Sequence, residues 1–273
     1  MGLKTPFSQG GNLLSLLLCL WKLDELSSPL MKTSSREISG NNKGYVVSDL
    51  HIFGCASLWK RYESNFYRSV AEHSTIVLNG DTFDFKRSRF SSSLETTTQA
   101  ISWLKDLCHS NPSKKFFFLL GNHDSQRVFT AALIQVASAI SNLRIEMDTL
   151  RLGSSIFLHG DAIDLPRSAT DLTLVRERYY SCEPSVASRA FAEIVTRLRI
   201  NFVEYLRHSK LSLANRISRY LNDTHPDLLI GAKEIFFGHT HVPFSDFEHH
   251  GLLFHNTGSL VRGLGWNPRE FEL

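Results

Sequence analysis

Short apolar runs alternate with longer stretches of helical spacing from Gly44 onward. Tyr45-Val46-Val47 and residues 75–78, 115–120, 143–147 and 155–158 are too short and too continuously apolar for helices, and read as strands. Between them, residues 65–73, 91–108 and 128–140 read as helices; Leu94, Ile101, Leu104 and Leu107 fall on one helical face. Strand–helix alternation with buried strands predicts an α/β domain whose sheet is covered. The rhythm breaks at about 164–227, which has no strand pattern. There Phe191, Ile194, Val195, Leu198, Phe202 and Leu206 recur at amphipathic-helix spacing, and the stretch carries ten Lys and Arg. It reads as a helical insertion on the active-site side, or equally as a solvated helix pair. Residues 234–237 then predict a strand, and 244–256 a hairpin turning at Gly251.

The first 43 residues differ from the rest and read as a flexible extension ahead of a single domain at 44–273. Leu13 to Trp21 is apolar but falls short of the roughly 20 residues a membrane span needs. No small-residue cleavage site follows it, so a secretory signal is not expected. A membrane-surface helix, or a true start at Met31, accounts for it equally well. Residues 34–43 read as a polar linker.

Composition adds little. The chain has 273 residues, 42% hydrophobic and 21% charged, as in ordinary globular proteins. A net charge of +3 suits an anionic substrate. The absence of a dense Lys/Arg–aromatic strip argues against specific nucleic-acid binding. Cys19, Cys55, Cys108 and Cys182 lack C-x-x-C spacing and read as free thiols of a reducing compartment.

The chemistry is concentrated in five short motifs, each placed just after an apolar run: Asp49-Leu50-His51, Gly80-Asp81-Thr82-Phe83-Asp84, Gly121-Asn122-His123-Asp124, His159-Gly160-Asp161 and Gly238-His239-Thr240-His241. If its strand continues, Asp49 and His51 share a face, and His239 and His241 repeat that logic. The Asp81 carboxylate has two oxygens and can bridge two ions, while Asp84 can orient a ligand histidine. Asn122 offers a neutral carbonyl oxygen. His123 can stand beside the metals as an acid toward a leaving oxygen. Asp124 either holds the other nitrogen of His123 and keeps it protonated, or caps the next helix. His159 reads as a ligand or a turn residue. Each motif alone has a bland explanation; five in this order do not. Together they supply oxygen and nitrogen donors for two adjacent divalent ions.

The ordered set D-x-H, G-D-x-x-D, G-N-H-D, H-G-D and G-H-x-H resembles the calcineurin-like metallophosphoesterase superfamily over roughly residues 45–260. The resemblance implies a four-layer α/β/β/α sandwich with a helical insertion, built around two divalent ions. One ion would be held by Asp49, His51, Asp81 and His241, the other by Asp81, Asn122, His159 and His239. A metal-bound hydroxide would attack phosphorus, and His123 would serve the departing oxygen. Mn²⁺ is the expected ion, with Fe²⁺, Zn²⁺ and Co²⁺ compatible with mixed O/N donors. Within the superfamily, the residues from Gly80 to Phe85, the insertion after His159-Gly160-Asp161 and the closing Gly-His-Thr-His are similar to UDP-2,3-diacylglucosamine diphosphatases of lipid A synthesis. That similarity implies a phosphorylated small-molecule or lipid substrate, cleavage of a pyrophosphate, and a cytoplasmic protein in contact with the inner-membrane periphery. Many of those enzymes carry Arg where His123 stands, and the acidic pair some have after the H-G-D motif is not evident among Asp164, Arg167 and their neighbours. Lys86, Arg87, Arg89, Arg127, Arg176 and Arg178 are candidates for holding phosphate, with Arg127 and Lys86 favoured. The rival readings are a phosphodiesterase or phosphatase for another substrate, and a non-catalytic binding module on the same fold.

Overall fold

The computed structural model describes residues 43–197 and 209–273. Four parallel strands, β1 (Lys43–Val47), β2 (Thr75–Asn79), β3 (Lys115–Leu119) and β4 (Leu143–Glu146), lie in sequence order. They are linked through α1 (Trp59–Glu72), α2 (Ser93–His109) and α3 (Arg127–Ala139). Every residue of β2 is buried, which is why it appears in the sequence as an unbroken apolar run. The pleat sends alternate side chains to opposite faces. Tyr45, Val47, Ile76, Leu78, Phe116 and Phe118 pack against the helices. Val46, Val77, Phe117 and Leu119 point the other way, onto a second sheet.

That second sheet holds β5 (Thr149–Leu152), β6 (Ser155–Leu158), β7 (Glu234–Phe237), β8 (Phe244–His249) and β9 (Leu252–Asn256), in the order β5-β6-β7-β9-β8. β6, β7 and β9 run parallel, and β5 and β8 are antiparallel edges. A last strand, β10 (Arg269–Glu272), returns to pair antiparallel with β1. Leu150, Phe157, Phe236 and Phe271 fill the space between the sheets. The outer face of the second sheet is covered by helices of the insertion, so the layers run α/β/β/α, as expected.

The described part of the insertion comprises a 3₁₀ turn (Asp161–Asp164), α4 (Thr173–Tyr180), α5 (Val186–Arg197), α6 (Lys210–Thr224) and α7 (Pro226–Leu229), with no strand among the described residues. Leu213, Ala214, Ile217 and Leu221 of α6 pack on the second sheet. The stripe expected on α5 behaves differently. Phe191 is 63% and Ile194 54% exposed, and the helix turns Ala192 and Thr196 inward. α5 is anchored by polar contacts: Ser188 Oγ donates to Lys86 O at 2.9 Å, and Arg189 Nη1 to Ser88 O and Phe90 O, each at 3.1 Å. Leu198, Phe202 and Leu206 lie outside the described residues, as does the apolar run from Leu13 to Trp21 with the rest of the expected extension up to residue 42.

α1 begins at Trp59, earlier than its apolar spacing suggests, because Trp59, Phe66 and Val70 form its buried stripe. β5 and β10 escape the sequence pattern because each buries a single side chain, Leu150 and Phe271, between half-exposed or exposed neighbours. Among the described residues, no helix is long and apolar enough to cross a membrane.

Candidate metal centre

The five motifs occupy loops at the carboxyl ends of β1, β2, β3, β6 and β7, where open α/β sheets gather their ligands. The first two loops run side by side: Asp49 N donates to Gly80 O and His51 N to Asp81 O, both at 3.0 Å. Asn79, at the end of β2, donates from Nδ2 to Leu158 O at 3.0 Å and Phe236 O at 3.2 Å, tying the two sheets together directly beneath the site.

The donor residues point together for a different reason from the one expected. β1 ends at Val47 and β7 at Phe237, so no pleat aligns Asp49 with His51 or His239 with His241. Instead Asp49, His51, Asp81, His239 and His241 all adopt left-handed backbone, with φ of 51°, 46°, 50°, 65° and 61°. Such φ values are uncommon outside glycine and cost about 1–3 kcal/mol each, strain that collects at functional sites. Glycine is required where the loops meet. A Cβ on Gly238 would overlap Asp49 Oδ2 and Ser48 Oγ, and one on Gly121 would overlap Asp81 Oδ1.

Two donor clusters result, sharing Asp81. In the first, the ligand atoms of Asp49, His51, Asp81 and His241 all lie within 4.8 Å of one another. His51 Nε2 and His241 Nε2 are 3.2 Å apart, and His241 Nε2 is 3.1 Å from Asp49 Oδ1. In the second, Asn122 Oδ1 lies 3.2 Å from His159 Nε2 and 2.9 Å from His239 Nδ1, and His159 Nε2 is 3.4 Å from Asp81 Oδ1. Both histidines of this cluster turn their far nitrogen to an oxygen: His159 Nδ1 to Asn79 O at 3.3 Å, and His239 Nε2 to Asp164 Oδ2 at 3.0 Å. Such outward partners orient each ring so that its inward nitrogen can serve an ion once it has given up its proton, as in metal-bound imidazoles. Converging carboxylate, carboxamide and imidazole donors, buried and oriented in this way, fit divalent metal ions.

The buried charges of the site also set one another's protonation. Burial alone would push the Asp49 carboxyl up, but a hydrogen bond from His241 and the charge of His159 hold it below its ordinary range. Asp81 is held well below it, against burial, chiefly by His159 and His123. Burial opposes the charge on His159, yet the Asp81 carboxylate outweighs it and raises the imidazole to about 10. His51 goes the other way, pushed down to about 4 by burial and by His123.

His123 sits beside the first cluster, its ring edge-on to His51 at 4.9 Å. Its partner is not the expected one. Asp84 Oδ1 lies 3.0 Å from His123 Nδ1. Asp124 is fully buried and accepts from Thr82 N at 2.9 Å and Phe83 N at 2.8 Å, so it braces the neighbouring loop. Nor does Asp124 cap α3, whose N-cap is Gln126. Burial and the Asp81 charge push the Asp124 carboxyl well up, in spite of those two donors.

A family model for calcineurin-like phosphoesterases matches residues 45–243, more than half of the chain. The protein belongs to the calcineurin-like phosphoesterase family. Distant similarity extends to solved structures. A dimetal phosphatase from Danio rerio is 10% identical over 81% of this chain and 88% of that one, with a TM-score of 0.42. A conserved Streptococcus pneumoniae protein classed as a predicted phosphoesterase is 15% identical over 86% of each chain, with a TM-score of 0.37. A phosphoesterase from E. coli is 14% identical over 80% of each, with a TM-score of 0.36. No curated protein matches the chain.

This calcineurin-like phosphoesterase is a hydrolase of phosphoester bonds, and its insertion reaches the site. The Tyr179 ring of α4 lies 5.0 Å from that of His123. Lys86 Nζ and the Arg178 guanidinium stand 5.4 and 5.2 Å from the Tyr179 ring centre. Arg127, exposed at the start of α3, lies 5.3 Å over the Tyr180 ring. Arg176 is not available to substrate. It is buried, clasping Asp161 from Nε at 2.6 Å and from Nη2 at 3.1 Å. Sequence reasoning also passed over Tyr179, Asn79 and Asn256. Asn256 Nδ2 holds Gly238 O at 2.9 Å and Thr240 Oγ1 at 3.0 Å, bracing the last motif. The signal available was position: Asn79 and Asn256 are buried polar residues at the ends of mainly apolar strands.

Proposed function

We propose that this phosphoesterase is a dinuclear-metal hydrolase for a phosphodiester or pyrophosphate, with a nucleotide-linked lipid such as UDP-2,3-diacylglucosamine as its substrate. The observation that carries the reading is the pair of donor clusters joined at Asp81, with His123 at their edge. Asp49, His51, Asp81 and His241 would hold one ion; Asp81, Asn122, His159 and His239 would hold the other. Mn²⁺ suits this mixture of hard oxygen and imidazole donors. Bound there, two divalent ions supply Lewis acidity toward phosphoryl oxygens and acidify water.

The chain supplies the rest. His123, with Nδ1 engaged by Asp84 at 3.0 Å, keeps Nε2 for a proton delivered to the departing oxygen. Lys86, Arg178 and Arg127 form a cationic rim for a second phosphate. Leu174, Val186, Phe191 and Ile194 expose apolar surface on the insertion, in keeping with a lipid-bearing substrate and with contact at a membrane surface.

The test is phosphorus-31 NMR of Mn²⁺-loaded protein with UDP-2,3-diacylglucosamine, run beside bis-p-nitrophenyl phosphate and p-nitrophenyl phosphate. UMP and a lipid monophosphate are expected. Cleavage of the artificial esters alone would leave a metallophosphoesterase and discard the lipid substrate.

A further inference from the structure

The two donor clusters differ in charge. The first draws on the carboxylates of Asp49 and Asp81, the second on Asp81 alone, because Asn122 is a neutral carboxamide. The second cluster's other donors, His159 and His239, are imidazoles, and an imidazole carries an ambiguity. Half a turn about χ2 exchanges each ring nitrogen with a carbon at almost no change in shape. His239 Nδ1 faces the cluster, 2.9 Å from Asn122 Oδ1. Its backbone N donates to Asp49 Oδ2 at 3.0 Å, and its ring stands edge-on to that of His159, with centres 5.2 Å apart. Those last two contacts set the place and plane of the ring. Neither tells its nitrogens from its carbons, and Asn122 Oδ1 is itself a donor to the ion.

The outer edge of the ring resolves the ambiguity. Asp164 Oδ2 lies 3.0 Å from His239 Nε2. Half a turn of the ring would set a C–H against that carboxylate and a carbon toward the ion. Asp164 closes the 3₁₀ turn (Asp161–Asp164) that directly follows the ligand His159. Guanidinium groups brace this turn from two helices. Arg176 of α4 clasps Asp161, and Arg216 of α6 donates from Nη1 to Ile163 O at 2.6 Å. Within the turn, Ile163 N donates to Gly160 O at 3.1 Å and Leu165 N to Ala162 O at 3.2 Å. A carboxylate on so fixed a turn can hold a ring in place. We propose that Asp164 is a positioning residue: it accepts from His239 Nε2, turns Nδ1 toward the ion held with Asp81, Asn122 and His159, and lends that site, through the imidazole, negative charge that its own donors lack. The proposal rests on the reading of His239 as a metal ligand. It makes the first turn of the insertion a part of the metal centre, apart from any contact with substrate.

Asp164→Leu removes the acceptor at similar size; Asp164→Asn keeps an acceptor oxygen without the charge. The experiment is calorimetric titration of the metal-stripped proteins with Mn²⁺, wild type beside both variants. Thermal unfolding of the metal-free forms and hydrolysis of bis-p-nitrophenyl phosphate across a range of Mn²⁺ concentrations accompany it. In Asp164→Leu one of two Mn²⁺ steps is expected to weaken about 10–100-fold while the other stays within about twofold. Asp164→Asn falls between Asp164→Leu and wild type, because it restores the orientation and not the charge. The Mn²⁺ needed for half-maximal hydrolysis rises in step with the weakened binding, kcat at saturating Mn²⁺ is close to wild type, and the metal-free Tm is unchanged. Both steps of Asp164→Leu remaining within about twofold of wild type would overturn the proposal. So would an Asp164→Asn no better than Asp164→Leu, or equal weakening of both steps with a lowered metal-free Tm, which marks a packing role only. Wild type binding no Mn²⁺ at all would take the dinuclear reading down with it; wild type binding two ions alongside an unaltered Asp164→Leu takes down Asp164 alone.

Discussion

Arg176→Met tests how the insertion is bolted to the catalytic half of the fold. The guanidinium is buried and spends its donors on four oxygen-bearing groups. It reaches Asp161 by two bonds of 2.6 and 3.1 Å, Asp148 Oδ1 at 3.2 Å, Met147 O at 2.7 Å and Leu120 O at 3.0 Å. Burial pushes the Asp161 carboxyl up, and Arg176 more than offsets this, holding it below its ordinary range. Methionine fills much of the volume and restores none of these bonds. Removing one partner of a buried ion pair costs about 3–5 kcal/mol, because the other charge is stranded. Against a total stability of about 5–15 kcal/mol, that is a severe loss. The pair as a whole is a different matter. Replacing both partners with apolar residues is often neutral, so Arg176→Met with Asp161→Leu should recover most of the loss. Urea unfolding at constant m-value reads both variants. A single-mutant loss below about 1 kcal/mol, or a double mutant no better than the single, would refute the stranded-charge account.

Three further expectations follow from the same geometry. Asp84→Asn leaves His123 without its carboxylate, and kcat should fall about 100-fold or more with KM nearly unchanged; steady-state kinetics at saturating Mn²⁺ measure it, and an unchanged kcat would remove Asp84 from the assignment. Gly238→Ala forces a methyl into Asp49 Oδ2 and Ser48 Oγ, and should weaken Mn²⁺ binding in calorimetry while far-ultraviolet circular dichroism stays native; unaltered affinity would show that the loop yields. Burial raises the Tyr45 phenol to about 12. The unfolded phenol ionises near pH 10, so this contribution is whole below pH 10 and is lost as pH rises toward 12, about 2–3 kcal/mol in all. Tyr45→Phe should flatten that alkaline slope in urea titrations, and an unchanged slope would place its origin elsewhere.

The layered fold was legible because its central strands are buried on both faces; β2 and β3 spell themselves as TIVLN and KFFFL. β5 and β10 were not, since a strand that buries only Leu150 or Phe271 has no pattern to read. All seven expected metal donors come together, yet the geometry joining them was hidden. Spacing of two along the chain suggested a pleat where left-handed loops do the work. The partner of His123 was misread for a related reason. Asp124 is adjacent in sequence, but the turn sends its carboxylate to Thr82 and Phe83, and Asp84 arrives from another loop. Arg176 read as a candidate for phosphate because nothing in a sequence shows that Asp161, Asp148 and Leu120 will surround it. Tyr179 carried no signal at all, since its value depends on where α4 lands.

The donors also fix when an ion can arrive. His51 and His241 meet across 190 positions of chain, and the ligands between them come from five separate loops spread over both sheets. No early stretch of the growing polypeptide holds a complete set, because the last two histidines emerge only after β7. The site thus differs from small zinc modules, whose ligands lie close together along the chain. Both sheets have to close for the histidines and carboxylates of either ion to stand together. The integrity of the whole two-sheet fold, more than any one segment, is therefore what the metal centre depends on.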